Sequence, residues 1–204
     1  MKKKIKLKAV PFVILSLFLL PLLIIPLINH QEKEIEEPKE EIITSQETIP
    51  VISENNIIGV PYNNPKVMTA KEYYDYKSDD EHQQKSITYY DDTYYQNTGI
   101  DYQSEEVFDV LSILDGTVLE TKEDDKTGKE IKIEHENGLI SIYQSLSEIL
   151  VKKGDLVSKT QVIGKSGTNE IEKELGNHLH FELYDNGKTV NPNNYLNQEY
   201  KKEN

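Results

Sequence analysis

The sequence has no cysteine, no tryptophan and no arginine. Without cysteine, disulfide scaffolds, thiolate zinc sites and cysteine nucleophiles are excluded. Any metal would have to be held by His, Asp or Glu. All 23 basic residues are lysines, so the planar bidentate phosphate reader is missing and nucleic acid is disfavoured as a partner. Apolar residues make up 36% of the 204, below the soluble average, and many fall in one early run. The folded core is therefore smaller than the length suggests: one modest domain with appendages.

That early run is Ala9 to Ile28, apolar except for Ser16, with Pro11, Pro21 and Pro26 within it. At about 1.5 Å per residue it just crosses a hydrocarbon core of about 30 Å. Lys2, Lys3, Lys4, Lys6 and Lys8 precede it and Glu32, Glu34, Glu36 and Glu37 follow, which orients the N-terminus to the cytoplasm and the rest outward. A cleaved signal peptide is the competing reading, but the flank Leu27-Ile28-Asn29-His30-Gln31 lacks a small-residue cleavage pattern. The expectation is a cytoplasmic tail (1–8) and a single transmembrane helix (9–29). The five lysines set aside, 18 lysines face all 36 acids outside, a formal charge of −18. That sign disfavours anionic polymers and lipids and favours solubility or a basic partner.

Residues 30–60 are rich in Glu, Lys, Thr, Ser and Pro and lack aromatics, the composition of a flexible acidic linker. Thirty such residues reach roughly 30 Å, more under self-repulsion. Nine of the 13 tyrosines then fall between Tyr62 and Tyr102. Tyr73, Tyr74, Tyr89, Tyr90, Tyr94 and Tyr95 are candidates for partner binding, because tyrosine joins contact area to low conformational entropy. The alternative is half-buried strand residues packing one ring each side. Asp79 to Ser86 reads as a short helix or loop, with His82 at the surface.

Beyond Glu106 the pattern is β. Val107 to Leu114 is an apolar run, Asp115-Gly116 a turn signal, and Ile131, Ile133 and His135 share one face of an alternating strand. Asn137-Gly138 marks a hairpin, after which Ile140 and Ile142 keep the two-residue period. Val151 to Gly164 reads as two short strands around a turn. Such punctuation gives a mostly antiparallel β-sandwich or barrel. His178-Leu-His180 puts two imidazoles on one strand face, where both can serve one site.

Gly99-Ile100-Asp101-Tyr102, the segment 146–155, Gln161-Val-Ile-Gly164, His178-Leu-His180-Phe-Glu-Leu and Val190-Asn-Pro192 together resemble the lysostaphin/LytM-type zinc endopeptidases of bacterial cell walls, over roughly 96–196. The resemblance implies a β-sheet groove. In it zinc is held by the His and Asp of a His-x-Gly-x-Asp motif and by the second His of His-x-His. Two further histidines, the first of His-x-His and one in Tyr-x-His-Leu, serve the attacking water and the transition state. On this chain Asp101 and His180 match two zinc ligands and His178 one catalytic histidine. Position 97 is Asn and position 145 is Ser where the family has histidine. A catalytic zinc keeps three protein ligands, and even an outer partner is worth about 10–100-fold. A missing acid–base histidine removes about 10²–10⁴ more. The expectation is a degenerate LytM domain over 61–198 and a disordered tail at 199–204. Asn97, Asp101 and His180 would be a vestigial metal set, His178 and Ser145 a vestigial catalytic pair, with no cofactor.

Tyr73-Tyr-Asp-Tyr-Lys77, Asp91 through Tyr102, Tyr143-Gln-Ser-Leu-Ser147 and Gly164 through Glu170 resemble the stage II sporulation protein Q group. That resemblance implies a forespore-membrane anchor whose domain docks a stage III sporulation protein AH-like membrane protein across the intermembrane space during engulfment. Peptidoglycan is a second possible partner, and a cell-wall zinc endopeptidase or murein hydrolase activator is the alternative function. A biotinyl or lipoyl carrier, suggested by 151–164, is opposed by the outward topology.

Overall fold

The computed structural model describes residues 57–136 and 138–200. The expected tail, membrane span and most of the linker lie outside them. Among the described residues no helix is long and apolar enough to cross a membrane.

In chain order the strands are β1 (Met68–Lys71), β2 (Ile87–Tyr90), β3 (Thr93–Gln96), β4 (Ile100–Gln103), β5 (Asp109–Leu111) and β6 (Gly116–Asp124). They continue with β7 (Gly128–His135), β8 (Ile140–Ile149), β9 (Leu156–Val157), β10 (Val162–Ser166), β11 (His178–Asp185) and β12 (Lys188–Val190). One six-residue helix, α1 (Asp80–Lys85), precedes β2; its first turn is capped by Asp79, whose side chain accepts from the His82 amide at 2.9 Å. Ten strands form one antiparallel sheet in the order β1-β4-β11-β8-β7-β6-β9. It forks at β8, which also pairs β10, and β10 in turn pairs β5; β12 pairs β11. β2 and β3 form a separate two-stranded sheet.

Alternation assigns the two faces of the large sheet. Leu179, Phe181 and Leu183 on β11, Ile100 and Tyr102 on β4, and Ile131 and Ile133 on β7 are buried in one core. Their neighbours Asp101, His180 and Glu182 turn the other way. Gly99 allows β4 to lie this close to β11: a Cβ there would sit 2.2 Å from the Phe181 carbonyl oxygen.

Ile140 and Ile142 keep the expected period, on the face away from the central core. Ile131 pairs Tyr143 and Ile133 pairs Ser141, so the core side of the hairpin carries Leu139, Ser141 and Tyr143. Three other expectations are revised. Of the run 107–114 only 109–111 is strand. Residues 112–114 bend over the core, where the Ile113 amide donates to the Tyr143 hydroxyl oxygen at 3.2 Å. The linker ends earlier than its composition suggests, because Ile58 is fully buried and its amide donates to the Gln198 carbonyl. The C-terminal end is ordered through Tyr200: Ile57 bridges Glu199, and the Tyr200 hydroxyl donates to Asp185 at 3.2 Å.

Candidate functional site

Register builds the site. On three adjacent strands Asp101, His180 and Gln144 stand side by side, since His180 pairs both Asp101 on β4 and Gln144 on β8. His180, largely covered but lining the groove, presents both ring nitrogens to carboxylates: Nδ1 lies 2.7 Å from Asp101 Oδ1 and Nε2 3.3 Å from Glu182 Oε1. A carboxyl group at each ring nitrogen favours the imidazolium. Burial alone would lower its pKa, but Asp101 foremost and then Glu182 raise it to about 10. Burial likewise works to raise the pKa of Glu182, yet its contacts with His180, Thr98 and Tyr184 hold it below the usual carboxylate range.

Asn97 completes the second side of Asp101. Its Nδ2 donates to Asp101 Oδ2 at 3.0 Å and to the Glu72 carbonyl at 3.0 Å. Both oxygens of this fully buried aspartate are thus engaged by N–H groups.

His178 takes a different partner. Its Nδ1 lies 2.9 Å from the Gly176 carbonyl, which fixes the proton on Nδ1 and leaves Nε2 as an acceptor. Burial pushes its pKa down, so the ring is neutral and Ser145 Oγ donates to Nε2 at 2.8 Å. Ser145 Oγ in turn accepts from Asn169 Nδ2 at 2.7 Å, and Asn169 Oδ1 accepts the Glu172 amide at 2.6 Å. A β-bulge puts the serine there. Lys129 pairs Leu146 while Ile131 pairs Tyr143, so β8 carries one extra residue, and Ser145 sits at φ 63°. The five motif residues therefore split into two separate buried networks, Asn97–Asp101–His180 and Ser145–His178.

Sequence reading missed Glu182, Glu172 and Asn169. Glu182 follows His178 and His180 at the same two-residue spacing, a signal that was available. Nothing local marks the other two. His135 is structural: Nδ1 meets the Asp115 carbonyl at 3.0 Å and Nε2 the Ser141 hydroxyl at 2.8 Å. Of the six candidate tyrosines, Tyr89, Tyr94 and Tyr95 are exposed, while Tyr73, Tyr74 and Tyr90 are partly covered. His82 is half-buried.

Above the His180 network lies a cavity of about 260 Å³, walled by Tyr95, Gln96, Gln144, Asn169, Glu172 and Glu182 among others. Glu172 is anchored on its far side by Lys71 Nζ at 2.9 Å and by the Thr88 hydroxyl. A larger cleft of about 520 Å³ lies beside Lys66, Gln103 and Gly176.

This sheet and groove are those of peptidase family M23, whose family model matches residues 95–192, and the chain belongs to that family. Within it the chain is similar to Stage II sporulation protein Q of Bacillus subtilis (strain 168), 36% identical over 146 residues, 71% of this chain and 52% of that protein. It thus spans about half the length of that relative. Two solved structures agree. One, the SpoIIQ-SpoIIIAH pore forming complex, matches with a TM-score of 0.69 and 35% identity over 71% of this chain and 94% of that one. The other, a crystal structure of the SpoIIIAH and SpoIIQ complex, gives 0.66 and 37% over 68% and 99%.

Proposed function

We propose that this chain is a membrane-anchored, catalytically silent member of the M23 family that docks a stage III sporulation protein AH-like membrane protein across the intermembrane space during engulfment. Two lines support the docking half: the likeness to Stage II sporulation protein Q and the likeness to chains solved as SpoIIQ–SpoIIIAH complexes. The anchor is the span 9–29, built on the apolar run Ala9 to Ile28, with the N-terminus in the cytoplasm and the domain on the outer face of the forespore.

The silent half rests on one observation: Asn97 turns hydrogens, not a lone pair, toward Asp101. A divalent cation needs acceptors from all its ligands. Here Asp101 Oδ2 accepts the Asn97 amide and Oδ1 faces His180 Nδ1. The donor set does not fit zinc, and no orphaned acceptor waits for it: among the described residues every buried side-chain nitrogen and oxygen has a hydrogen-bond partner. Asn97 and Ser145 stand where the family carries histidine. Ser145 supplies a hydroxyl that satisfies His178 but cannot exchange a proton near neutral pH as imidazole does.

The test pairs two assays on the full-length chain. A tagged chain from engulfing cells is expected to retain the AH-type protein, and the purified chain to release no fragments from labelled murein. Murein cleavage that disappears in His180→Ala would instead establish the alternative, a cell-wall zinc endopeptidase or hydrolase activator.

A further inference from the structure

We propose that the outer edge of β3 is the docking edge, where a lysine- or arginine-bearing strand of the partner pairs with Tyr94–Gln96 and extends the β2–β3 sheet. This deepens the docking function above and rests on it.

Pairing geometry exposes that edge. Tyr90 pairs Thr93 across a two-residue turn, Thr88 pairs Tyr95, and the Asn97 amide donates to the Ser86 carbonyl. Alternation in an antiparallel ladder then turns the N–H and C=O groups of Tyr94 and Gln96 away from β2. All four residues of β3 are exposed, and the two-stranded sheet ends there. A lone two-stranded sheet is marginal by itself. This one is held by Lys71, Thr88 and Glu172 at its groove side, so an edge that no described strand pairs is presented on a fixed base. Strand addition to such an edge draws affinity from the main chain and specificity from alternate side chains.

The side chains state which strand fits. Tyr89 and Tyr94 form a cross-strand ring pair, centroids 4.9 Å apart, and Tyr94 is 75% exposed. Rings in this region already take ammonium groups over their faces: Lys77 lies 5.4 Å from the Tyr76 ring centre and Lys126 5.6 Å from that of Tyr90. Charge points the same way. Residues 72–96 carry seven acids and two lysines, and Asp91 and Asp92 occupy the turn itself, both at positive φ. A second copy of this chain would meet that surface with the same sign, so self-pairing is opposed. A basic strand is attracted to it.

The experiment uses the full-length chain in nanodiscs and the AH-type protein of the same organism. Tyr94→Pro removes one outward amide hydrogen that β2 does not use. It is expected to weaken binding tenfold or more, and Tyr89→Ala with Tyr94→Ala by about tenfold. Raising salt from 50 to 300 mM is expected to weaken the unsubstituted pair severalfold. Because a proline variant can misfold, amide exchange is read on the unsubstituted complex, where Tyr94 and Gln96 are expected to slow at least tenfold. Unslowed exchange at both amides, or full binding by folded Tyr94→Pro, overturns the edge while leaving the docking function standing. No binding by the unsubstituted chain overturns both.

Discussion

Two histidines two residues apart end in opposite charge states. His180 is an imidazolium between Asp101 and Glu182; His178 is neutral between Gly176 and Ser145. Linkage turns this into a pH profile. A histidine whose folded pKa is raised stabilises fully below about pH 6.5, its ordinary value, and that stability is lost as pH climbs toward about 10. His178 and His135 are shifted down by burial, so their contribution is complete above about 6.5 and is lost below it. Glu182, held low, adds to the acid limb. Urea midpoints measured from pH 4 to 10 are therefore expected to peak near neutrality, and His180→Gln to flatten the alkaline limb. An unchanged alkaline limb in that variant would contradict the imidazolium. Ser145 allows a second comparison. Ser145→Ala leaves the Nε2 of His178 and the Nδ2 of Asn169 without their bridging hydroxyl, a loss of about 1–3 kcal/mol. Ser145→Gly loses the same bonds but relieves a left-handed backbone worth about 1 kcal/mol, so denaturation should rank serine above glycine and glycine above alanine.

At the scale of elements, an ion pair helps to tie the β2–β3 hairpin to the groove. Lys71 and Glu172 are both nearly buried, 101 residues apart in sequence, with the Thr88 hydroxyl between them. Glu172→Ala strands the lysine, and a loss of about 3 kcal/mol is expected, with amide exchange accelerating in 87–96 before the large sheet opens. Uniform exchange across the domain would show that the hairpin is not a separate unit. This anchor was illegible in the sequence, because neither Lys71 nor Glu172 belongs to a motif or a periodic face. The strands of the large sheet were legible where alternation was strict, as in Ile131-Lys-Ile133 and His178 to Glu182. On β8 the alternation was legible but not which face points inward: Ser141 and Tyr143, opposite Ile133 and Ile131, take the core side. The bulge at Ser145 was equally hidden: it depends on an extra residue between Leu146 and Tyr143 relative to β7, a property of the pair of strands and not of either one. The motif residues themselves were readable. How they divide into two networks was not, since that depends on cross-strand register.

For the whole molecule, the proposed function gives the acidic charge, the tyrosine hairpin and the closed histidine networks one role, holding a partner instead of cutting a chain. A strongly acidic domain repels its own copies and attracts a basic surface. The M23 sheet supplies a rigid support, and the groove residues that would handle a metal are spent on one another. The most direct measurement is the zinc content of the full-length chain purified without chelator and then equilibrated with excess zinc and desalted. Metal far below one per chain, unchanged in His180→Ala, is the result this account predicts. One zinc per chain, lost in His180→Ala, would contradict it.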